Sequence, residues 1–163
     1  MEALAAQVGA ALKSHGWTLV TAESCTGGGV AQAITEVPDC SKWFERGFIT
    51  YSNLAKQQIL GVSEDTLVQH GAVSEATVRE MVQGALAHSE SQVALAVSGI
   101  AGPGGGTTDK PVGTVWFAWG IKRGETLASM HLLTGNRAEV RAKAVYVSLQ
   151  GVLELLSKVT KIA

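Results

Sequence analysis

Apolar residues recur along this chain with two alternating periods, one typical of helices and the other of buried strands. A four-residue repeat ends at Gly16 and predicts an opening helix on the apolar positions Leu4, Val8 and Leu12. A β-branched run over residues 17–22 then predicts a buried strand. Because this alternation of helical and strand patterns continues to the end of the chain, it favours a layered α/β domain.

Four further segments have the apolar, β-branched character of strands. A second strand is predicted over residues 48–51, interrupted upstream by Gly47, and a third over residues 92–98. The third run is almost continuously apolar, which is typical of a strand buried on both faces of a sheet. Residues 112–121 and 126–133 are separated by a short polar turn and predict a β-hairpin.

Polar side chains at N-cap positions mark the starts of three more helices. Ser52 caps a short helix that reaches about residue 60, and Ser74 caps the next one. Asn136 and Glu139 have capping-box spacing for a long last helix that ends near Lys158. Since no linker or internal repeat interrupts the pattern, residues 1–163 are predicted to form one domain.

Composition narrows the class of protein further. Hydrophobic residues make up 46% and charged residues 17% of the chain, and a formal charge of −1 gives no general attraction to nucleic acid or anionic membrane. There is no apolar run long enough to span a membrane and no signal-peptide pattern. Cys25 and Cys40 are too few for a disulfide framework, so we expect a reduced cytoplasmic protein. The scattered histidines lack metal-ligand spacing, so we expect no metal site.

Three loops follow predicted strands, over residues 24–29, 51–56 and 98–106. Ligands of open α/β sheets bind at the carboxyl ends of the strands, so these loops could converge on one crevice. The third loop is the most glycine-dense part of the chain but matches neither GxGxxG nor the Walker pattern. Anion binding by its backbone and a flexible surface turn therefore both remain open.

Ser24 lies between a strand and a glycine-rich turn, after which the apolar residues 30–34 predict a helix. This position resembles a nucleophile elbow, although the GxSxG pattern is absent. Backbone N–H groups of such a turn can stabilise a developing oxyanion. The plain alternative is that Ser24 only caps the helix. Cys25 is a rival nucleophile, because the same helix start would lower the pKa of its thiol.

Lys56 is predicted in the first turn of the helix capped by Ser52, where the helix dipole and burial would both disfavour its charged form. A neutral lysine can act as the base for a serine nucleophile, whereas an exposed lysine without a role is the ordinary alternative. The phenol of Tyr51 could support such a pair or simply lie at the rim of a strand. Arg137 and Arg141 are one helical turn apart and could grip a phosphate or stay solvated.

Taken together, six motifs in chain order closely resemble the CinA C-terminal domain family. They are TAESCTGG at 21–28, WFERG at 43–47, TYSN at 50–53, HGAVS at 70–74, SGIAGPGG at 98–105 and KPVGTV at 110–115. The match runs from about residue 3 to about residue 158, which is nearly the whole chain. Within the family, the chain looks most like the stand-alone members that deamidate nicotinamide mononucleotide to nicotinic acid mononucleotide and ammonia.

The resemblance implies a three-layer α/β/α sandwich with a mixed β-sheet and a serine–lysine hydrolase that needs no cofactor. It assigns the nucleophile to Ser24, the base to Lys56 and a supporting hydroxyl to Tyr51. It further implies a homo-oligomer such as a dimer, and substrate contacts from Ser98, Gly102, Gly104, Gly105 and Arg137. In the acyl-transfer mechanism that we expect, the backbone N–H groups of Thr26, Gly27 and Gly28 also contact the substrate by holding the oxyanion.

A different class of function also stays open at this point. Some relatives carry a name that refers to competence and damage-inducible genes, and the chain could be a non-catalytic nucleotide-binding or regulatory module of that type. Such a module would need the glycine-rich loop and basic groups, but not the combination of Ser24, Tyr51 and Lys56.

Overall fold

A five-stranded mixed sheet forms the central layer of the molecule. The computed structural model describes residues 1–159, and the last four residues of the predicted domain, 160–163, lie outside the described part. The strand order in space is β2-β1-β3-β4-β5, with β1 parallel to β2 and β3, and β4 antiparallel to β3 and β5. The strands are β1 Leu19–Glu23, β2 Phe44–Ile49, β3 Val93–Gly99, β4 Thr114–Ile121 and β5 Thr126–Leu132.

Helices cover both faces of the sheet and confirm the predicted three-layer sandwich. They are α1 Glu2–His15, α2 Gly29–Thr35, α3 Asn53–Leu60, α4 Glu64–His70, α5 Glu75–Ala87 and α6 Arg137–Ser157, with a short 3-10 turn at Cys40–Lys42. Helices α1, α2 and α6 pack into one apolar core, and α3, α4 and α5 pack into a second core on the opposite face. Within the described part, no helix is long and apolar enough to cross a bilayer.

Strand β3 shows how the sequence fills both cores. Its alternate residues Val93, Leu95 and Val97 enter the first core, whereas Ala94 and Ala96 face the second. All five are buried, as predicted for a continuously apolar strand.

The caps predicted from the sequence are present. Gly16 ends α1 in the left-handed conformation at φ 70°. The hydroxyl oxygens of Ser52 and Ser74 accept hydrogen bonds from backbone N–H groups three residues later, at 3.0 and 3.2 Å. Asn136 and Glu139 form the complete capping box of α6.

Strand β2 differs from its predicted course. It begins at Phe44 and passes through Gly47, which the sequence pattern had marked as an interruption. A Cβ at Gly47 would lie 2.5 Å from the Thr21 hydroxyl oxygen, so glycine lets β2 pack against β1. Thr50 and Tyr51, predicted to end the strand, lie beyond it. Helix α4 was not predicted from the sequence.

The connections place a crevice between the carboxyl ends of β1 and β2. The chain leaves β1 toward α2 on one face of the sheet and leaves β2 toward α3 on the other. Adjacent parallel strands whose connections diverge in this way leave an open crevice at their carboxyl ends, where ligands of α/β proteins bind. Ser24 and Lys56 follow those two strands.

Candidate active site

Ser24 is held at the end of β1 with its hydroxyl beside an amine. Its backbone N–H donates to the Val97 carbonyl at 3.0 Å, which fixes the residue between β1 and β3. Its side-chain Oγ lies 2.9 Å from Nζ of Lys56. The pair predicted from separate segments of the sequence is therefore in direct contact.

Lys56 reaches this position from α3 with its side chain in the protein interior. It lies one helical turn before Leu60, which belongs to the second core, and only 1% of Lys56 is exposed. Besides the Ser24 hydroxyl, its Nζ donates to the carbonyl oxygens of Thr50 and Tyr51, at 3.0 Å each. No carboxylate within residues 1–159 forms a salt bridge with it.

Burial controls the protonation of Lys56. Removal from water lowers its pKa from 10.5 to about 8. A neutral amine has two N–H donors and one lone pair. When the two donors go to the carbonyls of Thr50 and Tyr51, the lone pair is left to accept the O–H of Ser24. The contact can therefore carry a proton from Oγ to Nζ.

Tyr51 joins the pair through its backbone. Its carbonyl oxygen accepts from Lys56 Nζ at 3.0 Å. When Nζ is protonated and donates to Ser24, the same carbonyl also accepts from the Ser24 hydroxyl at 3.4 Å. The side chain is 63% exposed, and its phenol makes no hydrogen bond within the described residues. The predicted contact between the phenol and the pair is thus absent from this conformation, and the main chain of Tyr51 takes its place.

The turn after Ser24 supplies backbone donors, but not all those predicted. The N–H of Gly27 already donates to the Ser24 carbonyl at 3.1 Å, so it is not free for a ligand. The N–H groups of Thr26 and Gly28 have no acceptor among residues 1–159. Gly28 has φ 99°, a left-handed conformation that favours glycine at this turn.

Glu23 is an organising residue that sequence reasoning missed. Its side chain is 1% exposed, and its two carboxylate oxygens accept from the Thr26 hydroxyl at 2.6 Å and from the N–H groups of Val30 and Ala31 at 2.9 and 3.0 Å. The carboxylate therefore occupies the positive end of α2 and fixes the turn that carries Ser24. An acid that closes a strand directly before a glycine-rich helix start is the signal that could have predicted this role.

Cys25 is poorly suited to act as a nucleophile. It is 6% exposed and belongs to the first core. Burial raises the pKa of its thiol to about 11, so the reactive thiolate is disfavoured. Among other ligand-type side chains, no group of three His, Cys, Asp or Glu residues that could hold a metal ion occurs in the described part of the chain.

The first two turns of α6 connect the nucleophile turn with the glycine-rich loop. Arg137 donates to the carbonyl of Gly102 at 2.7 Å. Arg141 donates to the carbonyls of Cys25 and Thr26 at 3.1 and 3.2 Å. Neither guanidinium has an acidic partner within residues 1–159, so two positive charges at this edge are not paired.

The remaining predicted contact residues lie at the same edge of the sheet. Ser98 follows Val97, which accepts the N–H of Ser24, and is 1% exposed. Gly104 and Gly105 lie on the exposed part of the glycine-rich loop, and a Cβ at Gly104 would contact nothing within 4 Å. The three loops thus meet at one edge, with Ser98 beside the pair and the two glycines farther out.

Sequence comparison relates nearly the whole chain to proteins of named activity. The chain is 53% identical over 150 residues to the nicotinamide-nucleotide amidohydrolase PncC of Enterobacter agglomerans, covering 92% of each protein. It is 55% identical over 147 residues to the protein of that name from Escherichia coli K12, covering 90% of this chain and 89% of the relative. A CinA-like protein of Akkermansia muciniphila is 51% identical, but this chain spans only 33% of its length.

Solved structures and a family model lead to the same grouping. The crystal structure of the competence damage-inducible protein A from Klebsiella pneumoniae superposes with a TM-score of 0.93 at 44% identity and covers 98% of both chains. The family model of the CinA C-terminal domain matches residues 1–156. The chain belongs to the CinA C-terminal domain family.

Proposed function

We propose that this protein is a nicotinamide-nucleotide amidohydrolase that hydrolyses the carboxamide of nicotinamide mononucleotide through a serine–lysine acyl-enzyme. The observation that carries the proposal is the 2.9 Å contact between Ser24 Oγ and the buried Lys56 Nζ, which has no carboxylate partner within residues 1–159. The names of relatives at 53 and 55% identity support the substrate. Their names do not specify which residues act.

Acylation begins with neutral Lys56. Its lone pair takes the proton of the Ser24 hydroxyl while Oγ forms a bond to the carboxamide carbon. The carbonyl oxygen of the substrate becomes an oxyanion, which the N–H groups of Thr26 and Gly28 stabilise, Gly27 being already engaged. The carbonyls of Thr50 and Tyr51 hold the resulting ammonium through hydrogen bonds.

The same lysine completes both halves of the reaction. The protonated Lys56 gives its proton to the departing nitrogen, the C–N bond breaks, and ammonia leaves behind an ester on Ser24. Neutral Lys56 then takes a proton from water, whose oxygen attacks the ester carbon. When the ester bond breaks, the proton returns to Ser24 Oγ and nicotinic acid mononucleotide is released.

The phosphate of the substrate is assigned to the glycine-rich edge. The helix start of α2 cannot take it, because the Glu23 carboxylate already occupies the N–H groups of Val30 and Ala31. Arg137, which has no acidic partner in the described part of the chain, offers positive charge beside the loop. Backbone groups of Gly102, Gly104 and Gly105 complete the proposed phosphate contacts. Ser98, which lies next to Ser24 on β3, is a proposed contact to the reacting end of the substrate.

The two competing hypotheses fit the site less well. A non-catalytic binding module has no need for a buried lysine without a counter-charge in the described part of the chain, because such burial destabilises the fold. A Cys25 nucleophile would require a thiolate whose pKa burial instead raises to about 11. The serine–lysine hypothesis uses the unusual features of the site without contradiction.

The test is ammonia release from nicotinamide mononucleotide, without added metal, by the intact protein and by Ser24→Ala and Lys56→Met. Lys42→Met is the matched control, because the Lys42 side chain is 64% exposed. We expect activity in the intact protein and the control, and its loss in both site variants while their melting temperatures show a retained fold. The acyl-enzyme should add the mass of the nicotinate mononucleotide acyl group to a peptide that contains Ser24.

Each other outcome rejects a defined part of the proposal. Activity that survives Ser24→Ala moves the nucleophile elsewhere, and its sensitivity to thiol reagents would identify Cys25. An inactive intact protein that still binds the nucleotide would favour the binding module. Predictions that the protein is a cytoplasmic homodimer in pyridine nucleotide salvage belong to the same proposal and need solution measurements.

A further inference from the structure

A short row of side chains continues across the sheet from Ser24. The N–H of Ser24 donates to Val97, so Ser98 is the next residue of β3 beside it. In the antiparallel register, Ser98 pairs with Trp116 of β4, and Trp116 pairs with Met130 of β5. We call Ser98, Trp116 and Met130 the Trp116 row.

The Trp116 row faces the side of the sheet from which Lys56 approaches. Side chains of a strand alternate between faces, and Val115 and Phe117 enter the first core. Trp116 therefore lies on the opposite face and packs against the second core, to which Leu60 of the Lys56 helix also belongs. Ser98 and Trp116 thus share one face with the catalytic pair.

On β4 and β5, though not at the buried Ser98 of β3, this row is less covered than the row beneath it. The next residues down the strands are alanines, and Ala96 and Ala118 are buried at 1 and 0% exposure under α5. Helix α5 runs from the edge that holds the site toward the other edge, because it leads into the parallel strand β3. Above its start, Trp116 is only partly buried and Met130 is 50% exposed.

Trp116 is at the right distance for a ring attached to the reacting carboxamide. Neighbouring strands are about 4.8 Å apart, so the backbone of Trp116 is about 10 Å from that of Ser24, with Ser98 between them. Ser98 is 1% exposed, and its side chain is small, so β3 places no bulky group between Ser24 and the indole. A six-membered ring whose carboxamide meets Ser24 Oγ would extend past Ser98 toward Trp116.

We infer that Trp116 is the platform on which the pyridinium ring of the substrate rests, so that it selects the charged ring. This inference rests on the proposed function. The ring of nicotinamide mononucleotide carries a positive charge, and tryptophan has the aromatic face that attracts cations most strongly. Loss of such a contact at a desolvated site weakens binding by about 5- to 30-fold.

Binding to the inactive Ser24→Ala protein tests this without turnover. We expect nicotinamide mononucleotide to quench tryptophan fluorescence, and Trp116→Phe to remove most of the quenching. Trp116→Leu should weaken binding about 5- to 30-fold by calorimetry, with a smaller effect of Trp116→Phe. The reduced nucleotide, whose dihydropyridine ring is neutral, should bind Trp116→Leu and its parent with similar affinity. Trp17→Phe is the matched control, because Trp17 stacks on His15 before β1, at the opposite edge of the sheet.

The outcomes separate this inference from the proposed function. Unchanged affinity in a folded Trp116→Leu protein overturns the platform alone. If Tyr51→Leu weakens binding instead, the exposed Tyr51 side chain holds the ring and the inference is wrong. Equal losses of affinity for the charged and the neutral ring would show that Trp116 contributes only general packing and does not select the charged ring. Absence of binding to the otherwise intact Ser24→Ala protein would overturn the nucleotide substrate together with the platform.

Discussion

The protonation of Lys56 gives the sharpest prediction, because the proposed base works only in its neutral form. With a pKa of about 8, roughly one-tenth of the lysine is neutral at pH 7 and roughly 1% at pH 6. An ordinary lysine with a pKa of 10.5 would be neutral about 300-fold less often at neutral pH. At about 1.4 kcal/mol for each pH unit, burial therefore lowers the free energy of forming the neutral base by about 3 kcal/mol.

The assay is kcat/KM for ammonia release from nicotinamide mononucleotide between pH 6 and 9.5. The value should rise about tenfold for each pH unit at low pH and level off above about pH 8. Lys56→Arg, whose guanidinium stays charged, should be inactive over the whole range. A flat profile, or a rise that still continues at pH 9.5, would refute the argument that burial prepares this base.

The same burial predicts how folding responds to pH. The pKa of Lys56 is lower in the folded protein than in the unfolded chain, so between about pH 8 and 10.5 only the unfolded chain holds the proton. Stability therefore rises with pH in this window, and the full cost of burial is present below pH 8. Relative to Lys56→Met, the free energy of unfolding should rise by about 2 kcal/mol between pH 7.5 and 9.5. A constant difference would show that the amine is not desolvated.

Substitutions of Glu23, Gly84 and Asn136, two of them with a matched control variant, test the parts that hold the site together. In Glu23→Gln, an amide NH₂ must face an N–H of α2, so we expect the free energy of unfolding in urea to fall by about 2 kcal/mol. We also expect a larger effect on kcat than on KM, and an unchanged kcat would contradict the positioning role. Gly84→Ala would place a Cβ 1.9 Å from the Leu60 carbonyl oxygen, so thermal melting should show a loss of about 1–3 kcal/mol in the free energy of unfolding. Gly61→Ala is the control: its Cβ meets no atom within 4 Å, but its φ of 71° measures the cost of backbone strain without a clash. Asn136→Ala should lower the free energy of unfolding by about 1 kcal/mol in the same assay, whereas Asn136→Asp should retain the cap. Equal stability of the two variants would show that the cap does not stabilise α6.

Local signals predicted the helix ends well, because a cap depends on a few adjacent residues. Ser52, Ser74 and the Asn136 capping box all lie where the sequence indicated. The course of β2 was predicted wrongly because it depends on a neighbouring strand. Gly47 looked like a strand breaker, yet its missing side chain accommodates Thr21 of β1. Such a contact between distant segments has no local signature.

In the candidate active site, too, residues with a local sequence signal were predicted and roles that depend on distant contacts were not. The contact of Ser24 with Lys56 agrees with what the family resemblance implied, and each residue had a weak local signal of its own. The part played by the main chain of Tyr51 could not be predicted, because side-chain chemistry alone suggested its phenol. Glu23 was overlooked because a buried acid is recognised only when the donors that surround it are known.

The irregular end of β2 explains how a buried amine can be tolerated and still react. Consecutive carbonyls of a regular strand point in opposite directions, so if Thr50 and Tyr51 continued β2, the two could not both accept from Lys56 Nζ. A buried amine without acceptors would destabilise the fold in either protonation state. Two acceptors satisfy the N–H groups of the neutral form, and the absence of a carboxylate among the described contacts keeps the charged form from being favoured. The departure of these two residues from β2 is therefore the structural condition for the proposed base, which ties the one error in the predicted sheet to the chemistry of the site.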